Sequence, residues 1–86
     1  MQLRVTARLP AGEPVAIIIE NLSISGFRAI IPLELKKGTL LRIGLPGGRS
    51  PHARVVRTEQ GCVGCAFLAP LDVSTVRMLT EPEEVY

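Results

Sequence analysis

Apolar and polar residues alternate in the first segment of the chain, where arginine and threonine separate the apolar positions. The apolar positions are Leu3, Val5, Ala7 and Leu9. A period of two residues is typical of a β-strand with one buried face. The next apolar stretch, residues 15–19, is nearly all β-branched, and we expect a central strand covered on both sides. The segment 10–14 carries two prolines and a glycine, which predicts a hairpin connection between these strands.

Four further strands are predicted downstream, over residues 27–31, 39–45, 52–58 and 62–68. Their apolar positions, which are expected to form the core, are Phe27, Ala29, Ile31, Leu41, Ile43, Leu45, Ala53, Val55, Val56, Val63, Cys65 and Phe67. Turn-forming residues separate the strands at 46–51, with two prolines and two glycines, and at 59–61. The segment 33–38 predicts a connection with a short helical turn that ends at Gly38.

A helix is predicted over residues 71–80, after the last strand. Asp72 is a suitable N-cap, and Val73, Val76 and Leu79 recur at helical spacing. Six short strands with one apolar face each close most economically into a barrel, because closure removes both sheet edges. We therefore predict an all-β domain, a six-stranded antiparallel barrel over residues 1–68 with a C-terminal helix and an acidic tail at 81–86.

The amino-acid composition excludes several classes of function, among them nucleic-acid binding and membrane insertion. The 86 residues are enough for a single domain, and aromatic residues make up only 3%, so the core must consist of aliphatic side chains. Two phenylalanines and one tyrosine cannot form a base-stacking platform, and the net charge is only +2. We therefore expect no DNA or RNA partner. No segment is long enough to span a membrane, and no signal peptide is recognisable, so a cytoplasmic location is expected.

The two cysteines form a C-x-x-C pair, Cys62 and Cys65. A zinc ribbon needs a second pair, and His52 is the only other soft ligand in the chain. Positions three apart on a strand face opposite sides, which predicts one buried and one outward cysteine without a metal. No nucleophile with a matching base is found either, so neither an enzymatic activity nor a cofactor is expected.

A polar junction separates the second and third predicted strands. Asn21 and Ser23 offer short side chains that can bond nearby backbone, and Gly26 is expected to supply the dihedral angles of a tight return. Asn21-x-Ser23-x-x-Gly26 matches the Asn/Asp-x-Ser-x-x-Gly motif of PilZ domains, small bacterial receptors for cyclic di-GMP. The order of elements along nearly the whole chain also resembles that family.

The resemblance extends to a second motif of the family, Arg-x-x-x-Arg, which Arg4 and Arg8 match. It implies that these arginines clamp phosphate and guanine, for which a guanidinium fork is well suited. Asn21 and Ser23 would contact a guanine or hold the loop, and Arg28 would add a phosphate contact. The resemblance thus implies a signalling receptor or adaptor for cyclic di-GMP that acts on a downstream protein partner.

The alternation of the first segment supports a different interpretation of the two arginines. It places Arg4 and Arg8 inside the first strand, about 13 Å apart at their Cα atoms, as solvated outward-facing residues. Only twelve residues separate Arg8 from Asn21, enough for one turn and one strand. In that case the family's arginine segment would precede Met1. The domain would then be a degenerate PilZ-like barrel that acts through protein contacts without binding cyclic di-GMP.

Overall fold

Six antiparallel strands close into a barrel in the computed structural model of the protein, which describes residues 2–80. The elements are β1 (Leu3–Arg8), β2 (Pro14–Leu22), β3 (Gly26–Ile30), β4 (Leu40–Gly44), β5 (His52–Glu59), β6 (Cys62–Phe67) and α1 (Val73–Thr80). The predicted barrel with one C-terminal helix is confirmed. The predicted tail at 81–86 lies outside the described residues.

The strands follow the order β1-β2-β3-β6-β5-β4 around the barrel, and β4 pairs back to β1. Hairpins join β1 to β2, β2 to β3, β4 to β5 and β5 to β6, whereas the longer segment between β3 and β4 passes across one end of the barrel. Closure leaves no strand with an unpaired edge, which protects the backbone polar groups without a covering layer.

The core is a single cluster inside the barrel, mainly aliphatic but with two phenylalanines, and it is formed by the inward positions of all six strands. Of the apolar positions predicted for β3 to β6, all but Val56 are buried: Phe27, Ala29, Ile31, Leu41, Ile43, Leu45, Ala53, Val55, Val63, Cys65 and Phe67. Val56 is 51% exposed because the pairing of β5 with β6 shifts between Val55 and Arg57. Phe27 and Phe67 pack against each other with their ring centroids 5.4 Å apart. Small residues at the inward positions, such as Ala7 and Ala53, leave room for the larger Ile17 and Ile43.

The second strand is covered on one face only, so its predicted burial on both sides is wrong. Ile17 and Ile19 point into the barrel and are 2% and 0% exposed, whereas Ala16 is exposed and Ile18 only half-buried. A barrel has one interior, and within residues 2–80 the outward side chains of β2 are exposed or half-buried. The β-branched run therefore reflects strand propensity rather than two buried faces.

The connection between β3 and β4 contains a β-turn in place of the predicted helical turn. The Thr39 N–H donates to the Lys36 carbonyl at 3.1 Å, and Gly38 has a φ of 89°. A positive φ at the third turn position requires glycine or asparagine. The Gly38 N–H also donates to the Val55 carbonyl at 2.8 Å, which attaches the turn to β5.

The helix begins at Val73, two residues later than predicted, directly after Asp72. The Asp72 carbonyl accepts the Val76 N–H at 3.1 Å, and its carboxylate pairs with Arg49 at 3.3 Å. Thr75 is the buried residue of α1, whereas Val73 of the predicted apolar face is 59% exposed. Leu79 packs against the barrel core, Val76 is half-buried, and Val73 faces solvent.

Two neighbouring isoleucines in β2 test the one-sided burial. Ile19→Ala removes a side chain with 0% exposure and should lower the free energy of unfolding by about 2–5 kcal/mol. Ile18→Ala removes a half-buried side chain from the outer face and should cost clearly less. Urea unfolding of both variants measures the difference. Equal losses would contradict the single-interior arrangement.

Candidate functional site

An open groove of about 490 Å³ runs along the outer wall of the barrel over β3, β6 and β5. One end of the groove is the turn between β2 and β3. Its polar lining consists of Asn21, Ser23, Ser25, Arg28, Arg57 and Glu59. Four of the six residues that the sequence predicts for the ligand site therefore lie together in one depression: Asn21, Ser23, Gly26 and Arg28.

Ser23 organises the turn at the end of the groove. Its N–H donates to the Gly26 carbonyl at 2.9 Å, and its Oγ accepts the Gly26 N–H at 3.2 Å. A second hydroxyl, that of Ser25, lies 3.2 Å from the Ser23 Oγ. Ser23 thus holds the loop, which is one of the two roles predicted for it. The Ser25 hydroxyl lies beside it at the rim of the groove.

Asn21 lies at the outer surface because β2 contains a bulge. The pairing with β3 shifts between Ile19 and Asn21, so Leu22 returns to the interior while Asn21 is exposed beside Arg28. Within residues 2–80, the Asn21 side chain has no hydrogen-bond partner. Its amide is therefore available to a ligand. Bulges of this kind often re-aim a side chain next to a functional site.

Gly26 is required for a reason that differs from the predicted one. It is absent from the glycines with positive φ, so the turn makes no special demand on its dihedral angles. Instead, a Cβ atom at this position would overlap the carbonyl oxygen of Cys65 on β6. Glycine at position 26 lets β3 and β6 approach closely where the groove begins.

Arg28 projects from β3 into the groove and is held by acidic neighbours. Its Nη2 lies 3.3 Å from the Glu59 Oε2, and its Nε lies 3.7 Å from the Glu20 Oε1. The Nη2 also donates to the Cys62 Sγ at 3.9 Å. The hydrogen bond to Cys62 and the charge of Glu59 raise the pKa of Arg28 above its ordinary value, so this guanidinium stays charged.

A second groove arginine, Arg57, was missed by sequence reasoning. In the strand pairing Gly64 lies between Arg28 on β3 and Arg57 on β5. Adjacent strands are about 4.8 Å apart, so the two arginine Cα atoms are roughly 10 Å apart across a floor without a side chain. Within residues 2–80, Arg57 has no carboxylate at ion-pair distance. A signal was present in the sequence: pairing β5 with β6 residue by residue outward from the turn at 60–61 places Arg57 opposite Gly64.

Arg4 and Arg8 are located elsewhere on the barrel. Both are exposed on the outer face of β1, where Arg4 pairs with Ile18 and Arg8 with Pro14. The Nη1 of Arg8 donates to the Gly12 carbonyl at 3.2 Å. Neither arginine lines the groove. The structure thus has the strand register that the alternation predicted, and it does not bring the Arg-x-x-x-Arg pair to the Asn21 turn.

The cysteines of β6 lie on opposite faces, as predicted. Cys65 points into the barrel, and burial raises its pKa to about 11. Cys62 is half-buried on the groove side, next to Arg28.

Within residues 2–80 no cluster of three or more metal-ligating side chains is found. In the same part of the chain, no helix has the length and apolarity that a membrane span requires.

Comparison with known proteins assigns no family to the chain. No family model matches it, and no curated protein matches it significantly. The functional interpretation therefore depends on the motif and on the geometry of the groove.

Two strand glycines test the close approach of β3 and β6. Gly26→Ala should lower the free energy of unfolding by about 1–3 kcal/mol, because the new methyl group meets backbone that cannot move aside. Gly44→Ala is the matched control, since the nearest atom to its Cβ would be 3.8 Å away. That change should be neutral or stabilise by up to about 1 kcal/mol. Similar effects of both changes on the urea midpoint would contradict the assigned role of Gly26.

The two thiols should differ in reactivity. At pH 8 a disulfide reagent is expected to modify Cys62 quickly and Cys65 only on unfolding, and Cys62→Ser should remove the fast phase. Because the folded-state pKa of Cys65 exceeds its ordinary value of 9.0, its contribution to stability is complete below pH 9 and declines as pH rises toward 11. Cys65→Ala should abolish that part of the alkaline decline. Two equally fast phases would contradict the opposite orientations.

Proposed function

We propose that this protein is a PilZ-like domain that binds cyclic di-GMP in the groove over β3, β6 and β5. In this proposal it is a cytoplasmic receptor or adaptor in bacterial signalling, without enzymatic activity, and the bound nucleotide alters its contacts with a protein partner. The proposal combines the resemblance of the Asn21-x-Ser23-x-x-Gly26 motif with the chemistry of the groove around it.

The observation that carries the proposal is the pair of arginines across Gly64. A planar ring needs about 3.5 Å to a stacking group on each side, and the roughly 10 Å between the two arginine Cα atoms leaves room for a purine base between the guanidinium groups. The backbone at Gly64 offers a flat floor for the edge of that base. Arginine can stack on a base and can also donate to phosphate oxygens or to the acceptor edge of guanine.

The turn supplies neutral hydrogen-bonding groups at the other end of the groove. Asn21 offers an amide donor and acceptor, and Ser25 offers a hydroxyl at the rim. Both are exposed, and the hydrogen bonds of Ser23 fix the loop that carries Ser25. A ligand with two guanines and two phosphates presents matching groups along such a groove.

The groove carries balanced charge, which sets its expected affinity. Glu20 and Glu59 form ion pairs with the Arg28 guanidinium. An incoming phosphate must therefore share this guanidinium with the two carboxylates or displace them. Arg57 has no such competitor within residues 2–80 and is the cation that we assign to the phosphates. We expect binding in the micromolar range rather than the nanomolar range, because Arg4 and Arg8 lie outside the groove.

The same distribution of charge favours the second candidate function, a barrel that binds no nucleotide and acts through protein contacts. Its supporting observation is the location of Arg4 and Arg8 on β1, which leaves the groove without the arginine clamp that the family resemblance implies. The two candidates differ in whether the free nucleotide binds at all.

Isothermal titration with cyclic di-GMP distinguishes these functions. Arg57→Ala should weaken binding by about tenfold to 150-fold, since a charge-assisted hydrogen bond contributes about 1.5–3 kcal/mol. Arg54→Ala is the matched control, an exposed arginine on the same strand outside the groove. Arg4→Ala and Arg8→Ala should also leave the affinity unchanged.

Two outcomes would contradict the proposal. If the unaltered protein shows no heat and no shift of the thermal midpoint at high micromolar nucleotide, the protein-contact function replaces it. If Arg4→Ala or Arg8→Ala weakens binding while Arg57→Ala does not, the nucleotide occupies a different surface. Guanosine monophosphate at the same concentration controls for non-specific binding.

A further inference from the structure

The outer wall of the barrel opposite to β3 carries a second concentration of arginine. We call it the arginine face, defined by the outward side chains of neighbouring strands β1, β4 and β5. Its basic members are Arg4, Arg8, Arg42 and Arg54, with His52 beside them. Arg8 lies directly opposite Arg42, Arg42 lies opposite His52, and Arg54 lies two residues further along β5.

The arginines of this face lack acidic partners of the kind that Arg28 and Arg49 have. Arg28 pairs with Glu20 and Glu59, and Arg49 pairs with Asp72. Within residues 2–80, no carboxylate lies at ion-pair distance from Arg4, Arg8, Arg42 or Arg54. The outward positions of β1, β4 and β5 between residues 3 and 56 contain no acidic residue at all.

This arrangement costs the folded barrel stability. Like charges directly opposite each other on antiparallel strands are destabilising, and Arg8 faces Arg42 in this way. A neutral polar residue at position 42 would satisfy the outer surface of β4 equally well. The uncompensated charge therefore suits an external acidic group better than it suits the fold.

We propose that the arginine face is a docking surface for an acidic segment of a partner protein. Every charged side chain on it is arginine, and both lysines of the chain lie in the 36–37 turn. Arginine binds carboxylates through two parallel hydrogen bonds and is enriched in protein interfaces, where lysine is depleted. The inference concerns a different surface from the nucleotide groove and does not depend on nucleotide binding.

Exposed apolar side chains within the face favour a protein over a nucleic acid. Leu40 is 43% exposed opposite Arg54. Val56 is 51% exposed two residues beyond Arg54, at the border of the face, where it also lines the groove. A protein partner would cover these side chains, whereas a phosphate backbone would leave them in water. Nucleic-acid stacking is also unsupported, because both phenylalanines are buried inside the barrel. The partner segment should thus combine glutamate or aspartate with a few apolar residues.

The test measures fluorescence anisotropy of the full chain with two labelled peptides, one of glutamate alone and one of glutamate with interspersed leucine. Both should bind, and the leucine-containing peptide should bind more tightly. The double variant Arg8→Gln/Arg42→Gln should bind both peptides at least tenfold more weakly. The matched control is Lys36→Gln with Lys37→Gln, which removes the same charge from a loop outside the face and should change binding less than twofold.

The apolar component has its own control. Leu40→Ser should remove the advantage of the leucine-containing peptide, whereas Leu68→Ser, at an exposed position outside β1, β4 and β5, should not. The thermal midpoint of the double arginine variant should stay equal or rise, which shows that lost binding is not lost folding.

Three results would overturn the inference. The first is an absence of binding to either peptide at low salt. The second is an equal loss in the lysine control, which would indicate attraction by net charge alone. The third is tighter binding to duplex DNA or to anionic phospholipid vesicles than to the leucine-containing peptide, which would assign the face to a phosphate-bearing partner.

Discussion

Barrel closure is the constraint on which the rest of this structure depends. Once β4 pairs back to β1, each strand has one face toward a single narrow interior and one face toward solvent. The interior is filled by mainly aliphatic side chains from all six strands, and Leu79 of α1 packs against them. All functional chemistry must therefore lie on the outer wall or at the ends, where it can vary without disturbing the core.

The outer wall is divided into two regions of different character. Over β3, β6 and β5, glycines at 26 and 64 lower the surface into a groove that contains two arginines, of which Arg28 is paired with carboxylates. Over β1, β4 and β5 the surface is raised by long arginine side chains without acidic neighbours. The strand β5 belongs to both regions, with Arg54 on one and Arg57 on the other. A nucleotide and a protein partner could thus occupy the same small domain at once.

The alternation of the sequence predicts much of the fold because a barrel interior imposes a period of two on every strand. It locates the inward residues of β3, β4 and β6 and places Arg4 and Arg8 on the outside, but in β5 the bulge turns the apolar Val56 outward. It does not reveal the order of strands, since pairing between β3 and β6 joins segments distant in the chain. The Arg28–Gly64–Arg57 arrangement depends on that pairing. The role of Gly26 cannot be predicted from the sequence either, because it depends on the close approach of the Cys65 carbonyl on β6.

Two single-residue bulges determine which side chains the groove contains. In a regular strand, positions three apart face opposite sides, yet Arg54 and Arg57 both face outward because Val56 is an extra residue between the pairs Val55–Cys65 and Arg57–Gly64. The bulge in β2 acts in the same way for Asn21. Insertion or deletion of one codon in either strand would exchange the inner and outer residues of the segment beyond it. Length variation within strands, which is usually regarded as harmful, offers this barrel a route to gain or lose a binding surface in one mutational step.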